Sequence, residues 1–191
     1  DCVKIFNKDV LSFNFENIKE KNFIIFGNLP YNISSQILIK FIKFKIWPPK
    51  FSDLVFMFQK ELGEKIIGKY LTSNYSRISV LTNYRLRYLK KFSVSPNCFI
   101  PRPKVNSTVI HFKPKKNLFK LKKIENLEDI THLFFSNKRK MINKNIKKIL
   151  NENEIKQIKD LNLNLRPSEL SPEIYYRITQ IFENKLKLFN H

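Results

Sequence analysis

Residues 22–38 read NFIIFGNLPYNISSQIL, and the fold turns on how that stretch is divided. Phe23 to Phe26 form an apolar run of strand length, and Gly27, Asn28, Leu29, Pro30 and Tyr31 follow it directly. Ser34 or Ser35 can then cap a helix whose apolar stripe is Ile37, Leu38, Phe41 and Ile42, with Trp47-Pro48-Pro49 expected to stop it. The stretch thus reads as strand, turn, helix. In α/β folds, ligands commonly sit at the carboxyl end of a strand. An amide, a rigid proline and an aromatic at that place are candidates for chemistry.

Working outward, VKIF (3–6) and FIIF (23–26) read as short buried strands, and DLVFMF (53–58) as a third. QKELGEKII (59–67) and SRISVLTNY (76–84) have helical character. RYLKKFSV (87–94) and VNSTVIHF (105–112) are strand-like, separated by the proline-punctuated loop SPNCFIPRPK (95–104). Strands alternating with helices predict an α/β sheet. After Pro114 the pattern changes. Residues 127–150 carry Ile130, Leu133, Phe134, Met141, Ile142, Ile146, Ile149 and Leu150 at helical spacing, and NEIKQIKDL (153–161) continues the helical region. Ser171 before Pro172 is a cap-plus-first-turn signature opening a last helix. The expected division is an α/β domain over 1–114 and a small all-α domain over 115–191.

With 191 residues, 42% of them hydrophobic and 18 of them Phe, the chain can bury a substantial core. No stretch is long and uncharged enough to span a bilayer, so no membrane partner is expected. Cys2 and Cys98 form no metal-ligand spacing, which points to a reduced, cytosol-like compartment and no bound metal. The formal net charge is +20, and Lys outnumbers Arg 29 to 7. A coding sequence rich in A and T would raise Lys, Asn, Ile and Phe together, so part of this basicity is open to that explanation. Its distribution argues further. From Lys65 to Ile124 there are 15 Lys and Arg and no Asp or Glu, and a second acid-free run lies between Asp129 and Glu152. Such blocks create a positive field suited to a polyanion, with nucleic acid the best candidate.

The turn chemistry narrows the choice. The Asn28 side-chain carbonyl and the Leu29 main-chain carbonyl, whose direction Pro30 helps set, are two acceptors side by side, which fits one –NH₂ group. Tyr31 offers a face for a heterocycle to stack on, a contact of about 1–3 kcal/mol per base. An adenine amine meets both demands. Its nitrogen is a poor nucleophile because the lone pair is delocalised; holding both N–H groups localises the pair and aims it at an electrophile such as a sulfonium methyl. Taken alone, the tetrapeptide also suits an ordinary turn in which Asn28 bonds to the backbone and Tyr31 packs.

The tetrapeptide does not stand alone. NLPYNISSQIL, VFMFQKELGEKI (55–66), YSRISVLTNY (75–84), VSPNCFIPRPKVNSTVI (94–110), FSNKRKMINKNI (135–146) and LRPSELSPEIYYRI (165–178) occur in the order of conserved blocks of one family. The chain resembles the KsgA (RsmA) family of adenine-N6 dimethyltransferases of small-subunit ribosomal RNA. Ser76 stands where that family usually has Gly.

The resemblance implies a Rossmann-like, S-adenosyl-L-methionine-dependent methyltransferase domain followed by a small all-α domain. It implies that Asn28 and Leu29 accept from the target N6, that Pro30 shapes the turn, and that Tyr31 and Phe99 hold the base from two sides. Asp9, Gly27 and Asn28 would serve the cofactor: Asp9 its adenine amine, Gly27 the approach of its methionine part. Phe99 as a core residue and Asp9 as a turn cap are the plainer alternatives. Arg102, Lys104, Lys138, Arg139, Lys140 and Lys144 are candidate phosphate contacts, with solvated surface as their alternative. The family's Gly-rich turn and ribose-holding acid have no counterpart, so the first strand–helix units are expected upstream of Asp1.

The resulting expectation is an enzyme that dimethylates N6 of adenosines, two adjacent ones near the RNA's 3′ end. It would act on the immature small subunit, with a role in assembly, as a monomer in the cytoplasm or an organelle matrix. Two alternatives remain: a non-catalytic RNA-binding assembly or transcription factor on the same fold, and a methyltransferase acting on large-subunit RNA.

Overall fold

The computed structural model describes residues 3–188, and side-chain surroundings to 185; Cys2 and the first residue of the chain lie outside the described residues. Four strands form one mixed sheet: β1 (Phe23–Asn28), β2 (Phe51–Gln59), β3 (Leu86–Val94) and β4 (Ser107–Pro114), in the order β1-β2-β4-β3. β1 and β2 are parallel, as a helical crossover requires, and that crossover is α1 (Ser34–Ile42). β4 runs antiparallel to both of its neighbours. Helices α2 (Lys60–Ile66) and α3 (Arg77–Arg85) follow β2, and α3 leads directly into β3.

The α1 stripe read from the sequence is the buried one: Ile37, Leu38, Phe41 and Ile42 are at most 1% exposed. They pack with Leu54, Phe56, Phe58, Ile110 and Phe112 from the central strands. Two expectations about this helix are corrected. Ser34 is its first residue rather than its cap, and its Oγ donates back to the Tyr31 carbonyl at 3.0 Å. The helix also ends at Ile42, ahead of Trp47-Pro48-Pro49, because Arg85 takes over its end: Nη1 donates to the carbonyls of Ile42 and Phe44, each at 2.6 Å. Desolvation lowers the Arg85 pKa from its ordinary value, and its guanidinium stacks 4.6 Å from the Trp47 ring.

Residues 3–6 form no strand; Val3, Ile5 and Phe6 are exposed, and among the described residues no strand pairs with them. An isolated run of apolar residues lacks the partner that a ladder needs. FIIF is a strand, but only alternate residues are covered: Ile24 is 50% and Phe26 73% exposed.

Beyond Pro114 lie α4 (Ile124–Phe135), α5 (Asn143–Ile146), α6 (Glu152–Lys156) and α7 (Pro172–Leu188). The single helix expected over 127–150 is broken between Phe135 and Asn143. There the Ile142 N–H donates to the Leu165 carbonyl at 2.9 Å, a tertiary bond in place of the helical one, and Lys140 N–H closes a turn onto Asn137. The helical region expected at 153–161 shrinks to α6, which is capped by Asn151 and Glu154 reciprocally. The Ser171–Pro172 opening of α7 stands, with Ser171 Oγ accepting from Ile174 N–H at 3.4 Å. Helices α4 and α7 pack on α3, where the Tyr176 hydroxyl reaches the Val80 carbonyl at 3.4 Å. No helix among the described residues is long and apolar enough to cross a membrane.

Candidate active site at the end of the first strand

β1 carries Asn28 to the edge of the sheet as its last residue, paired in register with Met57. The chain then turns sharply into α1: the Pro30 carbonyl accepts from Ile33 N–H at 3.2 Å. Leu29 points inward and is buried, whereas Asn28 and Pro30 are exposed. Burying the Leu29 side chain turns the backbone so that its neighbours face out. Gly27 has a packing reason of its own, since a Cβ there would lie 2.5 Å from Leu29 Cδ2 and 2.9 Å from Phe56 Cδ1.

Two acceptors stand unused at this turn. Among the described residues, no hydrogen bond reaches the Asn28 side chain or the Leu29 carbonyl. Tyr31 is half-buried, and its hydroxyl meets Ser107 Oγ at 2.5 Å, a bond spanning 76 positions of sequence. Ser107 opens β4 and is itself fully buried, so it anchors the ring firmly. Ser107 lies inside the VNSTVI stretch, which read as a strand; nothing in the sequence marked it as Tyr31's partner.

Gly27, Asn28 and Phe99 line one shallow, open cavity of about 330 Å³, with Met57, Val94 and Val109 also in its lining. Phe99 reaches it from the loop after β3, where a short 3₁₀ turn (Pro96–Cys98) directs the chain and Phe99 N–H donates to the Pro96 carbonyl. Phe99 is half-buried rather than a core residue. The structure thus brings Asn28 and Phe99 to one pocket, whereas Tyr31 is not among its lining residues and is held on Ser107.

Asp9 stands apart. It is exposed, it does not line the Asn28 cavity, and its Oδ1 accepts from Leu11 N–H at 3.0 Å as a turn cap. Arg102 and Lys104, both exposed, line a second and larger groove with Lys60. Lys138, Arg139 and Lys140 occupy the exposed turn after α4, and Lys144 sits exposed on α5. Among the described residues, no group of three His, Cys, Asp or Glu side chains is gathered that could hold a metal ion.

The unused acceptors at an open strand end and the apolar cavity beside them suit the reacting end of a sulfonium cofactor and an aromatic amine.

Comparison with known proteins points the same way. The family described as "Ribosomal RNA adenine dimethylase" matches residues 1–184. The chain is 41% identical over 186 residues to the Ribosomal RNA small subunit methyltransferase A of Pelagibacter ubique (strain HTCC1062), covering 95% of this chain and 70% of that protein. It is 37% identical over 180 residues to the protein of the same name from Malacoplasma penetrans (strain HF-2), covering 92% and 64%. A third, from Rhizobium etli (strain CIAT 652), is 37% identical over 146 residues, and the chain spans 53% of its length. Among solved structures, a dimethyladenosine transferase from Plasmodium falciparum superposes with a TM-score of 0.74 at 23% identity, over 94% of this chain and 72% of that one. The 23S rRNA methyltransferase ErmE superposes at 0.62 and 21% identity, over 93% and 71%. These two share the fold.

Proposed function

Because the chain belongs to the ribosomal RNA adenine dimethylase family, we propose that it is part of an enzyme that dimethylates adenosine N6 in small-subunit ribosomal RNA, drawing the methyl groups from S-adenosyl-L-methionine. The observation that carries the reading is the pair of unused acceptors, Asn28 Oδ1 and the Leu29 carbonyl, beside the cavity that Phe99 shares.

The cofactor, when bound, supplies a methyl group already activated on sulfur. The protein's own residues do the rest. Asn28 and Leu29 accept both N–H groups of the adenine amine, which withdraws its lone pair from the ring and points it into the cavity. Pro30 holds the Leu29 carbonyl direction, and Leu29's buried side chain anchors it from below. Tyr31, held by Ser107, and Phe99 offer the aromatic faces for the base. Asn28 is exposed, so the proton shed from N6 at each transfer passes to water. No residue needs a shifted pKa, since the work is positioning. Gly27 keeps the strand end narrow, while Asp9 remains a proposed cofactor contact through the oxygen that does not cap Leu11.

Lys138, Arg139, Lys140 and Lys144 form the phosphate-binding surface of a helical unit, 115–191, that positions the RNA. The enzyme is proposed to act as a monomer on immature small subunits, in the cytoplasm or an organelle matrix. The test uses the protein expressed from its own coding region, S-adenosylmethionine and unmodified small subunits. Nucleoside mass spectrometry counts N6,N6-dimethyladenosine. Product that disappears in Asn28→Ala while subunit binding persists supports the enzyme. Subunit binding without any product, wild type included, makes the chain an assembly factor on a methyltransferase fold.

A further inference from the structure

The loop between β3 and β4 is a partition. On one side Cys98 and Phe99 line the Asn28 cavity; on the other, Ser95 and Pro96 line a groove of about 740 Å³. Three cations line that groove: Lys60 from the start of α2, and Arg102 and Lys104 from the loop. All three are exposed, and among the described residues none has a carboxylate within 4 Å. None of the three is therefore held in a direct ion pair among the described residues.

Between them the lining changes character. Gln59, Asn106, Glu61 and Glu64 present amide and carboxylate groups to the same groove. The two carboxylates give the groove a mixed rather than a purely positive lining. A nucleotide has use for both sets, with cations for phosphate and with amides and carboxylates for the amino and ring positions of a base. The groove also neighbours the candidate site along the chain. The Asn106 carbonyl accepts from Lys60 N–H at 2.9 Å, and the next residue, Ser107, holds the Tyr31 hydroxyl.

We propose that this groove binds the nucleotide of single-stranded RNA that flanks the target adenosine, with Lys60, Arg102 and Lys104 on its phosphates and Gln59 and Asn106 reading its base. The proposal rests on the methyltransferase reading for the identity of the neighbour. The chain path is then set by the partition: one nucleotide enters the Asn28 cavity and the next lies across the loop. Unstacked neighbours are what sequence-specific RNA recognition uses, because their edges are free.

The test is binding of a fluorescein-labelled single-stranded hexaribonucleotide containing an adenosine pair, read by anisotropy across a salt series without any methyl donor. Lys60→Ala is expected to weaken binding about fivefold and to lower the log–log salt slope by about 0.7, one phosphate on a single strand. Asn106→Ala is expected to weaken binding about fivefold with the slope unchanged, as loss of a neutral hydrogen bond requires. Both side chains are exposed, and an unchanged melting temperature keeps each comparison clean.

Wild-type affinity and slope in Lys60→Ala would overturn the proposal. So would a labelled hexa-aspartate peptide that displaces the RNA while Asn106→Ala has no effect, since the groove would then be a general anion or acidic-peptide site. Because no methyl transfer is measured, loss of the enzyme reading leaves these outcomes intact. Conversely, methylation abolished by Asn28→Ala beside a silent Lys60→Ala would sink the groove alone.

Discussion

Tyr31 and Ser107 share a short bond in a setting where only one of them has another way to satisfy itself. Ser107 is fully buried, while Tyr31 keeps part of its surface in water. Tyr31→Phe leaves the ring but strands a buried hydroxyl, so it should cost about 1–3 kcal/mol in chemical denaturation. Adding Ser107→Ala removes the stranded group, and the double variant should recover most of that loss. A double variant no better than Tyr31→Phe would mean that the ring, not the bond, carries the stability. Gly27→Ala tests the same turn from beneath. Its Cβ would press on Leu29 and Phe56, so it should destabilise by about 1–3 kcal/mol. It should also reduce methyl transfer, because the displaced Leu29 carries the acceptor carbonyl. Asn28 and Tyr31 were legible in the sequence because amide, proline and aromatic recur in a recognisable block. Ser107 was not, because a small polar residue in a strand advertises nothing until its partner comes into contact.

Among the elements, α4 shows how tertiary structure supplies what local sequence lacks. Lys123 precedes the helix and cannot cap it by side-chain acceptance. Glu183, from α7, instead fixes the backbone entering the helix: Oε2 accepts from Lys122 N–H at 2.7 Å and Oε1 from Lys123 N–H at 2.9 Å, with Asn126 Nδ2 adding a third bond. Glu183 is 2% exposed, so Glu183→Ala would leave three part-buried donors unpaired and should lower the melting temperature. An unchanged melting temperature would show that water replaces the carboxylate there. The broken helix at 136–142 follows the same logic. Apolar spacing continued through it, but an N–H of that segment found its acceptor in the Leu165 loop. The break puts Lys138, Arg139 and Lys140 on a turn, projecting cations that a continuous helix would have spread around its circumference.

For the molecule as a whole, charge and pH leave measurable marks. Asp53 is held below its ordinary carboxyl pKa of 3.8. Burial opposes that shift, but hydrogen bonds from His111 and Ser52 and the positive charge of Lys113 outweigh it. His111 Nε2 donates to Asp53 Oδ1 at 2.5 Å. A depressed folded-state pKa means stability that is present above about pH 4 and lost as pH falls through the folded value. Asp53→Asn should therefore flatten the acid limb of a stability–pH curve below pH ~4. An identical acid limb in the variant would assign acid lability to other carboxylates. Lys43 behaves oppositely: its hydrogen bond to Glu128 at 2.7 Å raises it above 10.5, with burial opposing. That contribution is complete below the ordinary lysine pKa and disappears only in strong alkali.

The sequence by itself determined the strand–turn–helix at Asn28, the α1 stripe, the order of strands and helices from β1 to β4, the basic runs and the family. Each depends on local spacing or on residues contiguous in the chain, and such signals survive without knowledge of what lies opposite. Only the tertiary structure decided that residues 3–6 stay unpaired, that α4 ends early, that Asn28 and Phe99 share a cavity, and that Ser107 holds Tyr31. Those outcomes depend on partners 76 positions away in the case of Ser107, and on a loop carbonyl in the case of Ile142. A hydrogen bond needs both ends in place, and the chain brings distant ends together only when the sheet and its helices pack.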